Sequence, residues 1–289
     1  MTAVFAGATA GIGLATLRAF AAHIPEPRAV IVGRNPAKFA PELEKLKQIN
    51  QDGTFTFVEA QVSLIKSIDE ACREIQSKLN GEKIDLLFMS PGALSFNGRV
   101  ETTEGIDQSM ATRHYGRIRF VNNLLPAMAP NARVLSVLGG GQEAKVNEND
   151  LELKHKGNFG LVAANNHTGT MQTLSYDYLS EHNPQKAFIH AFPGLVSTDL
   201  LSNSATGVLG VFFRWIMIPV FKLLFSSPEE SGERMLYYAT SEQFAQGAWP
   251  IDERGDVSKA EALKEYRAQR FQETVWEHNE KVFEKALSA

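Results

Sequence analysis

The chain has 289 residues, of which 44% are hydrophobic and 21% are charged, and its formal net charge at pH 7 is −4. A chain of this length can bury a sizeable core, and its acidic balance argues against a nucleic-acid partner, because such partners usually bind a basic face. The single cysteine, Cys72, excludes an internal disulfide and fits a reducing compartment, so we expect a cytoplasmic protein.

Short apolar runs alternate with longer helical patterns along the chain. The apolar runs predict parallel strands covered on both faces, over Ala3–Ala6, Arg28–Gly33, Thr54–Glu59, Ile84–Met89, Arg133–Leu138, Lys186–Phe192 and Ala248–Ile251. Helical periodicity predicts helices over Leu14–Ala22, Ala37–Asn50, Ser67–Leu79, Ile106–Ala129, Val162–Glu181, Glu229–Thr240 and Ser258–Leu287. Repeated strand–helix units predict an α/β fold, a doubly wound (Rossmann) parallel sheet with helices on both faces. No linker or internal repeat divides the chain, so we predict a single domain over residues 1–289.

One stretch, Val208–Phe225, is apolar enough to need an explanation of its own. Arg214, Pro219 and Lys222 interrupt it, whereas a membrane-spanning helix needs roughly 20 apolar residues with few charges. A membrane span and a monotopic anchor are the alternatives. We interpret residues 200–226 as an apolar lid over a substrate pocket and expect no membrane contact.

A glycine-rich turn follows the first predicted strand and opens the first predicted helix. Its sequence is Gly7-Ala8-Thr9-Ala10-Gly11-Ile12-Gly13. Glycines in such a turn let the backbone approach a pyrophosphate, whose charge is met by free N–H groups at the helix start. The alternative is a turn that is merely tight. We expect the turn to bind a dinucleotide through Gly7, Thr9, Ala10, Gly11, Ile12 and Gly13.

The spacing of these glycines resembles the short-chain dehydrogenase/reductase superfamily, and the resemblance covers nearly the whole chain. Pro91-Gly92 follows the fourth strand, and Pro193-Gly194-Leu195-Val196-Ser197-Thr198 follows the sixth, as in that family. The resemblance implies that Pro91, Gly92, Pro193, Gly194, Val196 and Thr198 contact the cofactor, the last four at its nicotinamide carboxamide. It also implies a possible homo-oligomer. Divergent members from fungal biosynthetic pathways are the most similar, which suggests secondary metabolism and an apolar substrate.

The end of the second strand indicates which cofactor is bound. It reads Val32-Gly33-Arg34-Asn35, without the acidic residue that would bond the ribose hydroxyls of NAD. An arginine there accommodates a 2′-phosphate, so Arg34 and Asn35 predict NADP(H); a solvated surface arginine is the alternative. Gln61-Val62 stands where the family has Asp-Val beside the adenine, and an amide can still bond the base edge.

The catalytic set of the family is absent from its expected positions. The resemblance places a serine at Gly139, a tyrosine and a lysine around 159–164, and an asparagine at Arg113, and none of those residue types is present there. We therefore propose His167 and Tyr115 as catalytic candidates, because their helices should flank the nicotinamide and both groups can exchange protons. A packing role is the alternative for each. We expect no metal site.

Three functions remain open at this point. The first is an NADP(H)-dependent oxidoreductase acting on a carbonyl or alcohol of an apolar small molecule. The second is a non-redox enzyme on the same scaffold, such as an isomerase, cyclase or dehydratase, with the cofactor structural or absent. The third is a catalytically silent binding subunit. In addition, Glu143 is interpreted as a solvated loop charge and His190 as a structural residue inside a strand.

Overall fold

The strands of the protein form one parallel sheet, seen in a computed structural model that describes residues 1–92, 98–196 and 226–289. The strands are β1 Thr2–Ala6, β2 Arg28–Gly33, β3 Thr54–Glu59, β4 Ile84–Met89, β5 Met128–Val137, β6 Ala187–Ala191 and β7 Gly247–Ile251. Their order in the sheet is β3-β2-β1-β4-β5-β6-β7. The chain leaves in opposite directions from β1 and β4, so a crevice opens between these two neighbours at their carboxyl ends, where such sheets bind ligands.

Helices cover both faces of this sheet. They are α1 Gly11–His23, α2 Pro36–Ile49, α3 Ile65–Leu79, α4 Gln108–Met110, α5 Gly116–Leu124, α6 Leu161–His182, α7 Pro228–Thr240, α8 Glu261–Ala268 and α9 Phe271–Ser288. Alternate residues of β1 enter different cores: Val4 packs with α3, α5 and α6, whereas Phe5 packs with α1 and α7. The predicted doubly wound α/β fold is therefore confirmed.

The predicted helix over Ile106–Ala129 differs from the structure at both ends and in the middle. It begins at Gln108, because the side chain of Asp107 caps the helix by accepting hydrogen bonds from the backbone amides of Ser109 and Met110. A π-helical turn, Ala111–Tyr115, separates α4 from α5. The helix is over before Met128, which already belongs to β5, because a proline at position 126 interrupts the backbone hydrogen-bond ladder.

The predicted helix over Ser258–Leu287 is two helices, α8 and α9. Arg270 stands between them in the left-handed region, with φ of 53°, and no glycine or proline in the sequence announces this break. The turn lets Tyr266 stack on Phe271 with ring centroids 4.9 Å apart, so both rings reach the core. Burial of two aromatic rings offsets the cost of the left-handed residue.

The predicted lid, residues 200–226, lies outside the described residues except for Ser226. Its role as a lid and the extent of the predicted single domain stay predictions. Within the described ranges, no helix combines the length and the hydropathy that crossing a bilayer requires. The thiol of Cys72 is buried in the core against α5, and burial raises its pKa to about 12.

The approach of α7 to α1 generates a first prediction. A Cβ atom added at Gly232 of α7 would lie 2.7 Å from the carbonyl carbon of Ala15 in α1, which is a backbone atom that cannot move aside. We expect Gly232→Ala to lower the free energy of unfolding by roughly 1–3 kcal/mol, measured by urea denaturation. The matched change Glu233→Ala removes only an exposed pair with His23 and should cost less than about 1 kcal/mol. Equal midpoints for the two variants would contradict this packing.

Candidate active site

A cavity of about 690 Å³ opens at the carboxyl ends of the strands, where the crevice between β1 and β4 is expected. This volume lies in the usual range for small-molecule and cofactor sites. Its walls come from the segments that follow six of the strands. The described lining residues are Gly7, Thr9–Ala15, Arg18, Val32–Arg34, Ala60–Ser63, Ser90–Gly92, Gln108, Thr112, Arg113, Arg117, Val137, Leu138, Pro193, Pro228 and Glu229.

The glycine turn is shaped by a direct backbone contact with the end of β4. Gly7 has φ of +81°, and a Cβ atom there would lie 2.3 Å from the backbone nitrogen of Pro91. A Cβ atom at Gly13 would lie 2.3 Å from Oγ of Ser90. The first turn of α1 contains no acidic residue, and Ala10 at its N-cap makes no side-chain hydrogen bond. Its free N–H groups therefore line the cavity, and the turn fits a pyrophosphate.

Most of the residues predicted to bind a cofactor line this cavity. They are Gly7, Thr9, Ala10, Gly11, Ile12, Gly13, Arg34, Gln61, Val62, Pro91, Gly92 and Pro193. Asn35 is not among the lining residues, because its side chain caps α2 and accepts a hydrogen bond from the Lys38 amide at 2.9 Å. Gly194 and Val196 are also outside the lining, and Thr198 falls outside the described residues.

Two buried arginines line the cavity and were not assigned to binding from the sequence. Arg117 is 1% exposed and donates to three carbonyl oxygens at the strand ends, those of Val137 at 3.0 Å, Met89 at 3.4 Å and Pro91 at 2.6 Å. Arg113 is 8% exposed and donates to Oδ1 of Asn165 in α6. Their spacing of four residues is the one signal that could have placed them on a common helix face.

The electrostatics of these arginines are unusual. None of the described carboxylates lies within ion-pair distance of Arg113 or Arg117. Burial lowers the pKa of Arg113 to about 10 and that of Arg117 to about 9. Both values remain well above neutrality, so both side chains are cationic at physiological pH. The cavity wall between β4 and β5 thus carries a positive charge in a desolvated position.

Comparison with known proteins assigns the family. A family model described as short chain dehydrogenase matches residues 1–141. Oxidoreductase AN1596 of Emericella nidulans is 38% identical, over 99% of this chain and 94% of its own length. The chain belongs to the short-chain dehydrogenase/reductase family. The predicted resemblance is confirmed, and the chain is an oxidoreductase of this type.

Solved structures of the short-chain dehydrogenase/reductase family share the fold. The NADPH-bound carbonyl reductase from chicken fatty liver has a TM-score of 0.60 at 18% identity, covering 89% of this chain and 97% of its own. The MalC reductase/Diels-Alderase from Malbranchea aurantiaca has a TM-score of 0.61 at 17% identity, covering 83% and 90%. At these identities the likeness supports the architecture described above.

The two catalytic candidates lie behind the cavity wall of this short-chain dehydrogenase. Tyr115 is fully buried, and its hydroxyl is hydrogen-bonded to Nε2 of His278 in α9 at 2.8 Å. His167 is buried with Nε2 accepting from the amide of residue 147 and Nδ1 donating to the carbonyl of residue 151. Burial raises the pKa of Tyr115 and lowers that of His167, so both side chains are held neutral.

Helix geometry explains why the side chains of Tyr115 and His167 point away from the cavity. Tyr115 lies two residues beyond Arg113, and His167 lies two residues beyond Asn165. Two residues rotate the side-chain direction by roughly 200° in an α-helix such as α6, and by roughly half a turn in the wider π-helical turn that contains Arg113 and Tyr115. Since Arg113 and Asn165 meet each other at the cavity wall, Tyr115 and His167 point to the far side of their helices. Neither is among the described lining residues.

Gly139, where the family resemblance places a serine, is tied to a buried polar chain. Its amide donates to Nε2 of His190 at 3.0 Å, and Nδ1 of His190 donates to Thr173 at 2.7 Å. The Thr173 hydroxyl in turn donates to Glu143 at 2.7 Å, and Ser258 donates to the other oxygen of this carboxylate. The interpretation of Glu143 as a solvated charge is therefore wrong, because it is 6% exposed and holds the end of this network.

This network predicts a pH dependence of stability. Nε2 of His190 accepts an amide hydrogen and so must be unprotonated, and burial lowers the pKa of His190 to about 3. The unfolded chain takes up a proton at this histidine below about pH 6.5, whereas the folded chain does not until about pH 3. Its contribution is thus fully present above pH 6.5 and declines as the pH falls toward 3, by up to about 1.4 kcal/mol per pH unit.

We expect His190→Gln to flatten the fall in unfolding free energy between pH 6.5 and 4.5, measured by chemical denaturation. Glutamine can accept the Gly139 hydrogen bond but does not titrate, so the slope, not the absolute stability, is the readout. His182→Gln at an exposed position should keep the wild-type slope. An unchanged slope in His190→Gln would contradict a neutral buried imidazole.

Proposed function

We propose that this protein is an NADP(H)-dependent oxidoreductase that acts on a carbonyl or alcohol group of an apolar small molecule. One observation carries the proposal. The cavity runs continuously from the glycine turn after β1, past Arg34 after β2, to the ends of β4 and β5. A dinucleotide needs this arrangement, with a phosphate site at a helix N-terminus and further room for its reactive ring.

Arg34 favours NADP(H) over NAD(H) in this proposal. It is exposed at the cavity and follows the second strand, where a guanidinium can pair with a 2′-phosphate. No acidic side chain stands beside it in the segment Val32–Asn35. A neighbour of the same fold is described as NADPH-bound.

An apolar substrate is supported by the surface at the carboxyl ends of the strands. Val162 in the first turn of α6 is 72% exposed, and Leu195 after β6 is 64% exposed. Neither side chain lines the cavity, but exposed apolar side chains at the same edge of the sheet are typical of a binding surface for an apolar ligand. Fungal relatives support a role in secondary metabolism. A cytoplasmic location stays a prediction from the single cysteine. Assembly into a homo-oligomer stays a prediction from the resemblance.

The chemistry divides between cofactor and protein. Bound NADPH supplies the hydride, and the protein orients the substrate and stabilises charge. The described lining contains no tyrosine, histidine or lysine, so we propose that the oxygen receives its proton from water. Arg117 fixes the ends of β4 and β5, and its positive charge at the cavity wall can stabilise the negative charge that develops on the oxygen.

Cofactor preference tests the role of Arg34. We expect Arg34→Asp to weaken NADPH binding roughly 10–100-fold, because the 2′-phosphate loses its cation and meets a carboxylate. NADH binding should improve, since a carboxylate can accept hydrogen bonds from ribose hydroxyls. Isothermal titration calorimetry measures both affinities. Lys38→Asp makes the same charge reversal at an exposed position of α2 outside the lining and should change neither; equal wild-type affinities for the two cofactors would refute the assignment.

Turnover tests the reaction and the two buried candidates together. We expect bicyclic ketones such as 1-decalone to cause a fall in NADPH absorbance.

Tyr115→Phe removes a buried hydrogen bond to His278 and should lower the free energy of unfolding by about 1–2 kcal/mol, while turnover stays within about threefold. His167→Ala should behave alike. A loss of roughly 100-fold or more in turnover, at unchanged NADPH affinity, would instead support the catalytic role predicted from the sequence.

A non-redox enzyme is the second candidate, favoured by the vacant acid–base positions at Gly139 and 159–164. A structural neighbour is described as both a reductase and a Diels-Alderase. Formation of a product without any change in NADPH absorbance, and in equal yield without NADPH, would favour this candidate over the oxidoreductase.

A further inference from the structure

The positive charge of the cavity wall between β4 and β5 has no negative partner among the described residues. Arg113 and Arg117 together bring two guanidinium groups into a desolvated position. An isolated buried charge costs several kcal/mol unless it is paired, so such a site is expected to be completed by a ligand. The two guanidinium groups differ in whether a ligand can reach them.

Arg117 is committed to the fold. Both of its terminal nitrogens donate to carbonyl oxygens at the ends of β4 and β5, and a ligand would have to displace the backbone to reach them. Arg113 is different. Its Nη2 donates to the exposed side chain of Asn165 and not to the backbone. Nε is buried without a hydrogen-bond partner in both arginines, but in Arg113 the neighbouring Nη2 is held by a side chain that can move.

The contact between Arg113 and Asn165 has the form of a half-occupied anion site. Nε and Nη2 lie on one edge of a guanidinium, and a carboxylate binds both through its two oxygens. An amide has only one oxygen, so Asn165 accepts a hydrogen bond from Nη2 and leaves Nε without an acceptor. Asn165 itself is exposed on α6 and can rotate away at little cost.

The surroundings of this edge also favour an anion. α6 begins at Leu161, and its N-cap, Gly160, makes no side-chain hydrogen bond. Its first turn contains no acidic residue, so the positive end of the helix faces outward uncompensated. Asn165 is the fifth residue of α6, about one turn beyond this start, so the positive end of the helix adds to the potential at the Arg113 edge.

The phosphates of a dinucleotide do not account for this site. The glycine turn opens α1, which packs on the face of the sheet that carries α2 and α7. Arg113 and α6 belong to the opposite face, with α3 and α5. Arg34, the residue proposed for the 2′-phosphate, follows β2, which lies two strands from β4 and so roughly 10 Å away.

We propose that Arg113 binds a carboxylate carried by the substrate, which takes the place of the Asn165 side chain and bonds Nε and Nη2 together. The inference rests on the proposed function in one respect, since it names the substrate of the same cavity as an apolar carboxylic acid. The reacting carbonyl or alcohol then lies on the same molecule, held by its acid group at the α6 side of the cavity.

A matched pair of rigid probes tests this site without any turnover. Adamantane-1-carboxylate and adamantane-1-carboxamide have nearly the same shape and differ in charge. We expect the carboxylate to bind on the order of 30-fold more tightly in calorimetry at low salt, with the protein titrated both with and without NADP⁺. Arg113→Gln should abolish this preference, and Arg113→Lys should keep part of it as a single point charge. Equal affinities, or no binding of either probe at millimolar concentration, would overturn the proposal.

A second variant keeps the test independent of whether Arg113→Gln folds. Asn165→Asp supplies the missing anion from the chain itself. We expect it to raise the melting temperature by roughly 2–4 °C and to remove carboxylate binding, because the guanidinium edge is then filled. Asn166→Asp adds the same charge one residue along α6 and should retain the preference for the carboxylate. If Asn165→Asp still prefers the carboxylate, the site is elsewhere and the proposal fails.

The two proposals fail separately. NADPH titration monitors the cofactor site, and the probe pair monitors Arg113. Normal NADPH binding without discrimination between the probes refutes the substrate carboxylate alone. Discrimination that depends on Arg113 in a protein that binds no NADPH refutes the oxidoreductase and leaves the anion site in place.

Discussion

The contact between the glycine turn and the end of β4 is the constraint on which the site depends. β1 and β4 are neighbours in the sheet, and the chain leaves them in opposite directions. The backbone of Gly7 then passes so close to Pro91 that no side chain fits between them, and Ser90 donates to the carbonyl of Gly7 at 3.1 Å. This approach opens the crevice on its outer side and turns the free amides of α1 into it. A bulkier turn would separate the strands and close the phosphate site.

Arg117 is a second structural constraint on the crevice, because its side chain binds the backbone at the ends of β4 and β5. A guanidinium that donates to Met89, Pro91 and Val137 holds the ends of β4 and β5 in register with the segment that follows them. Because its partners are carbonyl dipoles and not a carboxylate, the guanidinium is stabilised by hydrogen bonds while its positive charge is not neutralised. The fold therefore uses a cation as a structural clamp and leaves its positive potential in the cavity. An anion bound nearby would be stabilised by both arginines although it touches Arg113 alone.

The sequence predicted those parts that follow from local pattern and missed those that follow from packing. Near-continuous apolar runs predicted the strands, and the glycine turn predicted a phosphate site in a segment that lines the cavity, because both predictions depend on residues adjacent in the chain. The break before α9 has no sequence signal, since Arg270 adopts a left-handed backbone for the benefit of tertiary contacts. Side-chain direction was the harder problem. Tyr115 lies two residues from the cavity-facing Arg113, and a pattern that locates a helix to within a turn cannot decide which of them faces the ligand.

The vacated catalytic positions are integrated into the fold, which bears on how the protein moves protons. At Gly139 the backbone amide donates to His190, and the hydrogen bonds continue through Thr173 to the carboxylate of Glu143. This carboxylate also accepts from the amide of Gly141. Each donor in this chain has an acceptor, so the chain rigidifies the end of β5. With no tyrosine, histidine or lysine in the described lining, the means that we propose for a reaction in this cavity are orientation, a water-derived proton and electrostatic stabilisation. Among these the largest is generally electrostatic, and the positive potential that Arg117 leaves at the cavity wall is in position to supply it.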